Sequence, residues 1–202
     1  MAGSVFILLV ILVISTQPHP MAHKHSFTLV SLDPARLLPR RLIIGQQQSD
    51  SIAFVALKLL GYLLFHRERL QIETNLHQIS IPYVPNLVEL NYELDPVLWV
   101  ECGECSVEKL DKLAVKVPRA EIWVLRGSFG EVDELIRAMT RAELRRDRYN
   151  LAGFDAELFA EFCGLISGRD ELTWVNGTFD PPGIQFDFNG LWFDIPLKVV
   201  KF

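Results

Sequence analysis

The sequence predicts one α/β domain, built from a mixed β-sheet with flanking helices. The chain has 202 residues, of which 50% are apolar and 22% are charged, so it can fold around a sizeable core. Segments in which apolar residues alternate, as in strands, are interleaved with segments of helical periodicity. The chain ends in a β-hairpin pattern, and no internal repeat is present.

The N-terminal segment differs from the rest of the chain. Residues 5–14 form an unbroken apolar run, which is shorter than the roughly 20 residues of a membrane-spanning helix. The run has the length of a signal-peptide core, but no basic residue precedes it and no convincing cleavage site follows it. We therefore expect translation to start at Met21, which makes residues 1–20 an artefactual extension and residues 21–202 the domain. A secreted or tethered protein is the alternative.

Charge and cysteine content narrow the function classes. The chain has 25 acidic and 20 basic residues, a formal charge of −5, which argues against a protein that coats nucleic acid through charge alone. Its three cysteines are too few for a disulfide framework in a chain of this size. We expect a reduced, cytoplasmic protein that has no membrane contact if it starts at Met21.

The first half of the domain predicts two strands, a helix and a hairpin. Partial alternation between residues 25 and 44 indicates two short strands around a turn. Residues 50–68 have apolar residues at helical spacing after a cap at Ser49 or Ser51. Residues 87–92 and 97–102 then predict a β-hairpin.

The second half predicts three helices, two strands and a final hairpin. The helices are expected at 107–117 with a cap at Ser106, at about 132–144, and at 155–166; the strands are expected at 121–126 and 172–175. Asn189-Gly190 between two alternating runs predicts a type I′ turn. In that register Phe186 faces Phe193 and Ile184 faces Ile195.

The middle hairpin brings two polar residues to its open end. With the turn centred between residues 93 and 94, Glu101 lies across from Asn86, and a one-residue shift makes them diagonal neighbours on the same face. The helix that follows carries Lys109, Lys112 and Lys116. An acid, a second oxygen ligand and a lysine are the minimum set for a Mg²⁺ site that cleaves phosphodiesters. The alternative is that these strand-end side chains simply face water.

The segment Leu98-Trp99-Val100-Glu101-Cys102-Gly103, followed by a basic helix and a strand, resembles the YaeQ family. Residues 68–71, at the end of the predicted long helix, also resemble the corresponding segment of that family. The resemblance covers the chain from Met21 to its C-terminus. It implies a variant of the PD-(D/E)XK nuclease fold, here a nuclease-like core plus the C-terminal hairpin, and a Mg²⁺-dependent phosphodiesterase that acts on nucleic acid.

The resemblance also implies roles for individual residues. Glu101 matches the acid of the (D/E)XK half and would be a metal ligand, and Asn86, after Pro85, takes the place of the first acid as a second ligand. Cys102-Gly103 occupies the X-K position, so the lysine role would pass to the next helix. Lys112 is the best match there, and Lys109 is the alternate.

Two departures from the family pattern weaken this site. The neutral amide of Asn86 is a poorer Mg²⁺ ligand than a carboxylate. Val97 stands where family members tend to carry an acid. Glu68, Glu89 and Glu104 are candidates to compensate, whereas Asp95 lies in the turn at the far end of the hairpin. The alternative function is therefore a catalytically inactive module that binds nucleic acid or protein.

Two further features allow other interpretations. Cys102 and Cys105 form a CGEC motif at a strand-to-helix junction, which suggests a thiol–disulfide protein; coincidence is the simpler reading. Cys163 is the only other cysteine, so no second pair completes a zinc site. The densest basic cluster is typical of a solvated helix face, with phosphate contact as the alternative, and comprises Arg141, Arg145, Arg146 and Arg148.

Overall fold

A computed structural model describes residues 23–76 and 81–202. The N-terminal extension at residues 1–20 and the start at Met21 lie outside these ranges, so both remain predictions. The described residues form one ten-stranded sheet and four helices. The strands are β1 (His23–Ser31), β2 (Arg41–Gln46), β3 (Leu70–Ile72), β4 (Leu87–Leu90), β5 (Pro96–Cys102), β6 (Glu121–Arg126), β7 (Tyr149–Phe154), β8 (Arg169–Phe179), β9 (Pro182–Phe188) and β10 (Leu191–Lys201). The helices are α1 (Ile52–Leu64), α2 (Val107–Lys116), α3 (Phe129–Arg141) and α4 (Ala156–Leu165).

The sheet is mixed, as expected, and its strand order is β2-β1-β8-β9-β10-β7-β6-β5-β4-β3. The pairs β1/β8, β5/β6 and β6/β7 are parallel, and the remaining neighbours are antiparallel. The parallel strands β5, β6 and β7 are each followed by a helix, α2, α3 or α4. The carboxyl ends of these strands therefore meet the N-termini of three helices at one edge of the sheet.

Capping side chains define where the helices begin. The hydroxyls of Ser51, Ser106 and Ser128 accept hydrogen bonds from backbone N–H groups of the first turns, and Asp155 caps α4 in the same way. The Ser106 cap was expected. Helix α3 begins three residues before the expected Val132, because Ser128 caps it: its hydroxyl accepts the N–H of Glu131 and donates to the Glu131 carboxylate.

Strand β7 is a central strand that the sequence did not indicate. Residues 149–154 include Asn150, Ala152 and Gly153, which have low strand propensity, and β7 pairs with both β6 and β10. Strand β8 is also longer than the predicted 172–175, since it pairs with β1 on one side and β9 on the other. Tertiary pairing outweighs local propensity in both strands.

The sheet separates two apolar cores. The first lies against α1 and α4 and includes Leu98, Val100 and Cys102 of β5. The second lies against α2 and α3 and includes Trp99 of the same strand. Because side chains alternate along a strand, Glu101 shares the face of Trp99.

The C-terminal hairpin confirms the predicted register. Phe186 pairs with Phe193 and Ile184 with Ile195, and all four side chains are buried. Both turn residues have positive φ, 52° at Asn189 and 84° at Gly190, as a type I′ turn requires. Within residues 23–76 and 81–202, no helix is long and apolar enough to cross a membrane.

Candidate functional site

The middle hairpin places Glu101 at the end of β5, beside the start of β4. Leu87 pairs with Val100 and Val88 with Trp99, which confirms the first of the two predicted registers. Continuing this register by one residue puts Asn86 opposite Glu101. The hairpin therefore brings together the acid and the amide that the sequence singled out.

The Glu101 carboxylate is buried and already has two partners. Its Oε1 accepts a hydrogen bond from Trp99 Nε1 at 2.7 Å, and the Lys109 ammonium lies 2.7 Å from the same oxygen. Glu101 is only 2% exposed, whereas the Lys109 side chain is 24% exposed. The carboxylate is thus neutralised by an internal ion pair at the end of β5.

The lysine at Glu101 is Lys109, the alternate, and not Lys112, which the resemblance to the YaeQ family favours. Lys112 pairs with Glu108 one turn earlier on α2, at 2.5 Å, and both side chains are mostly exposed. Lys109 comes from the first turn of α2, the turn nearest the end of β5, and its ammonium also lies 5.6 Å from the Tyr83 ring. The predicted alternate is therefore the residue that the fold brings to the acid.

Asn86 contributes its amide oxygen to the backbone of the hairpin. Asn86 Oδ1 accepts a hydrogen bond from the N–H of Cys102 at 2.7 Å, which ties the start of β4 to the end of β5. The described part of the chain has no cluster of three His, Cys, Asp or Glu side chains that could hold a metal. Mg²⁺ in proteins is held by carboxylates and waters, whereas Oε1 of the buried Glu101 is already paired and Asn86 Oδ1 is bonded to a backbone N–H. This set of donors does not favour Mg²⁺, and the magnesium site stays a prediction from the sequence.

The acids that were candidates to compensate for Asn86 do not take part in the ion pair between Glu101 and Lys109. Glu89 pairs with Arg67 at 2.7 Å, and Asp95 lies in the turn before β5, at the opposite end of the hairpin from Glu101. Glu104 is exposed beside the start of α2, and Glu68 lines a separate groove with His66. None of these four carboxylates is hydrogen-bonded or ion-paired to Lys109, whose ion pair is with Glu101.

Gly103 forms the turn between β5 and α2. Its φ is +74°, a left-handed conformation that lets the chain leave β5 and enter α2. Its N–H donates to Leu125 O at 2.9 Å, so the turn is fixed to β6. A lysine at position 103 would be strained, and the cation at Glu101 comes from α2.

The two cysteines of the CGEC motif lie in different cores. Cys102 belongs to the core under α1, and Cys105 belongs to the core under α2 and α3. Both are free and buried. Burial, reinforced by the nearby charge of Glu101, raises the pKa of the Cys102 thiol strongly and that of Cys105 to about 12. This differs from a redox pair, in which a lowered pKa exposes a reactive thiolate.

We therefore expect the native protein to react very slowly with a thiol reagent near pH 8. At that pH almost no thiolate is present at Cys105, because its pKa is raised to about 12. Titration with Ellman's reagent in buffer and in denaturant measures this directly. All three cysteines should react rapidly only in denaturant. Rapid reaction of a thiol in the native protein would contradict the burial of the motif.

A cavity opens at the edge of the sheet where the helices begin. It has a volume of about 590 Å³ and is lined by the starts of α1, α3 and α4, by Gly103 and by Glu131. In α/β proteins, ligands bind in the crevice outside the carboxyl ends of the parallel strands. This edge is therefore a second candidate site, next to the end of β5 but separate from the Glu101 carboxylate.

Two charged groups in this region were not singled out by the sequence. Lys58 of α1 is fully buried and pairs with Glu73 at 2.8 Å, and it also donates to Gly45 O. Arg126, the last residue of β6, is 9% exposed, and its Nε has no hydrogen-bond partner. A single arginine directly after the apolar residues 122–125 was the signal available for Arg126.

Two of the four arginines in the predicted basic cluster contact other parts of the protein. Arg148 donates hydrogen bonds to the carbonyls of Ala120 and Val117, at 3.0 and 2.7 Å. The Arg146 guanidinium lies 4.1 Å from the centre of the Phe202 ring. Arg141, Arg145 and Arg146 are exposed, which agrees with a mostly solvated basic surface.

Comparison with solved structures identifies the fold. The chain is similar to the YaeQ protein from Pseudomonas syringae, with a TM-score of 0.67 and 14% identity over 90% of this chain and 96% of that one. It is also similar to the YaeQ protein from Xanthomonas axonopodis pv. citri, with a TM-score of 0.62 and 18% identity over 89% and 97% of the two chains. No protein-family model and no curated protein matches the sequence. The chain therefore has the α/β fold of these YaeQ proteins.

Proposed function

We propose that this protein is a YaeQ-family member that binds a ligand at the carboxyl edge of β5, β6 and β7 and does not cleave phosphodiesters through Glu101. Family membership is supported by a structural likeness that spans nearly the whole of both YaeQ chains. The segment from Trp99 to Gly103, quoted above, is the sequence feature that agrees with it. The three buried free cysteines are compatible with a reducing, cytoplasmic location.

The fold is proposed to be a variant of the PD-(D/E)XK nuclease core. The support is the position of Pro85-Asn86 at the start of β4, directly opposite Glu101 at the end of β5. The amide at Asn86 and the glycine at Gly103 replace the charged groups expected at those two places. The core would then retain the shape of a nuclease and lack part of its chemistry.

One observation carries the proposal: the Glu101 carboxylate is paired within the protein. A catalytic metal ligand must offer its oxygens to a hydrated ion, but Oε1 of Glu101 lies 2.7 Å from both Trp99 Nε1 and Lys109 Nζ. The same pair neutralises the lysine that would contact a phosphate. Glu101 and Lys109 therefore act as a structural ion pair that anchors α2 to the end of β5.

A nuclease assay tests the proposal. We expect the wild-type protein, incubated with plasmid DNA or RNA and with Mg²⁺ or Mn²⁺, to cleave no faster than the Glu101→Gln variant. Lys112→Ala serves as the matched control on the same helix, and circular dichroism verifies that each variant is folded. Metal-dependent cleavage by the wild type that Glu101→Gln abolishes would overturn the proposal.

A further inference from the structure

Arg126 is a buried cation without an anionic partner. The residue is 9% exposed, its Nε is fully buried, and in the part of the chain that the structure describes no carboxylate pairs with it. A buried polar nitrogen without a hydrogen-bond partner costs free energy, and an arginine in such a place usually pairs with an anion. Alternation along β6 places Arg126 on the face of Ile122 and Val124, toward α2 and α3.

A cavity of about 310 Å³ lies at this position. Arg126 lines it together with Cys105 and Ser106 at the start of α2 and with Leu135 on α3. Arg126 and Leu135 are buried, whereas three carboxylates on the lining are exposed at the rim: Glu104, Glu131 and Glu134. The cavity thus combines a cationic floor, a partly aliphatic wall and an acidic rim.

The start of α2 adds hydrogen-bond donors to the floor. Helix α2 has ten residues, and its N-cap Ser106 already accepts the N–H of Lys109. The first N–H groups of a helix, here those of Val107 and Glu108, have no acceptor within the helix, and the helix dipole favours an anion beside them. An anionic group in the cavity would therefore meet both Arg126 and the first turn of α2.

The charge pattern determines the class of ligand. A polyanion such as a nucleic-acid backbone is disfavoured, because it would approach the three rim glutamates. A small molecule that carries one carboxylate and one ammonium matches both charged parts of the cavity, and Val107, Leu135 and Ala138 offer contacts to an aliphatic side chain. We propose that this cavity binds an aliphatic α-amino acid, with its carboxylate on Arg126 and its ammonium at the glutamate rim. The proposal rests on the ligand-binding role assigned above to this edge.

Calorimetric titration of the full chain tests the proposal. The probes are L-valine and L-leucine, the matching acids without an ammonium (isovalerate and isocaproate), and the matching amines without a carboxylate (isobutylamine and isoamylamine). At least one amino acid should bind, with both of its matched analogues weaker by about tenfold or more. No binding of either amino acid, or an acid that binds as tightly as its amino acid, would overturn the proposal.

Substitutions test whether Arg126 and the rim glutamates bind the amino acid. Arg126→Gln should abolish binding, Glu134→Gln on the exposed rim should weaken it by about tenfold, and Arg141→Gln on the same helix should leave it unchanged. Because Glu134 is exposed, its variant tests the ligand site even if Arg126→Gln fails to fold. Unchanged affinity in Glu134→Gln would overturn the assignment of the ammonium. The outcomes are separable from the nuclease assay, since cleavage through Glu101 is measured without an amino acid and binding is measured without nucleic acid or metal.

Discussion

Replacing Lys109 with methionine is expected to lower the free energy of unfolding by about 3 kcal/mol. The substitution removes the ammonium that lies 2.7 Å from Glu101 and leaves a carboxylate that is 2% exposed, with Trp99 Nε1 as its remaining partner among the described residues. Methionine retains the apolar stem of the lysine, so the loss reports the charge rather than the packing. Urea denaturation monitored by tryptophan fluorescence measures the change.

Lys112→Met is the matched control for Lys109→Met. Both lysines lie on α2, three residues apart, but Lys112 pairs with the exposed Glu108. Its replacement should leave the urea midpoint close to that of the wild type, because exposed pairs contribute little to stability. If both variants lost the same amount of unfolding free energy, Glu101 would not be neutralised by Lys109. That result would also remove the main support for a structural role of the Glu101–Lys109 pair.

Asp170→Asn is expected to destabilise the protein by about 3 kcal/mol near neutral pH. Asp170 is 3% exposed, and its carboxylate accepts hydrogen bonds from the N–H and hydroxyl of Ser167, from the N–H of Gly168 and from Asn189 Nδ2. These bonds join the α4–β8 loop to the turn of the C-terminal hairpin. Asparagine has one acceptor oxygen, and its amide donors would face other donors.

The contribution of the Asp170 carboxylate to the free energy of unfolding should decrease at low pH. Burial raises the pKa of its carboxyl group. The hydrogen bonds from Ser167, Asn189 and Gly168 together lower this pKa by more than burial raises it, so the net pKa lies below the ordinary value of 3.8. A lowered pKa means that the charged carboxylate stabilises the fold above pH 3.8 and that this contribution is lost as the pH falls through the folded-state pKa. The difference in stability between wild type and Asp170→Asn should therefore shrink below pH 3.8.

Urea denaturation at several pH values tests this dependence. Asp194→Asn provides the control, because Asp194 is exposed and bonds only Gln185 on the neighbouring strand. Its replacement should change the stability by less than about 0.5 kcal/mol. A gap between wild type and Asp170→Asn that stays constant into strong acid would show that the carboxylate charge does not hold this junction.

Several elements followed from short sequence patterns alone. The type I′ turn at Asn189-Gly190, the cap at Ser106 and the pairing of Trp99 with Val88 all depend on residues close in sequence, or on a hairpin whose turn sets its register. The position of Asn86 opposite Glu101 followed from the same register. Strand β7 did not follow, because its stability comes from two neighbouring strands distant in sequence rather than from its own residues.

The sequence by itself determined the α/β class, the hairpins, the helix cap at Ser106 and the meeting of Glu101 with an amide at the end of β5. Only the tertiary structure decided that Lys109 rather than Lys112 reaches Glu101, that the carboxylate is buried, that Cys102 and Cys105 face different cores, and that Arg126 lies unpaired in a cavity. The physical reason is the range of the interactions. Periodicity, capping and turn chemistry act within a few residues, whereas burial and ion pairing depend on how α2 and α3 pack against strands from elsewhere in the chain.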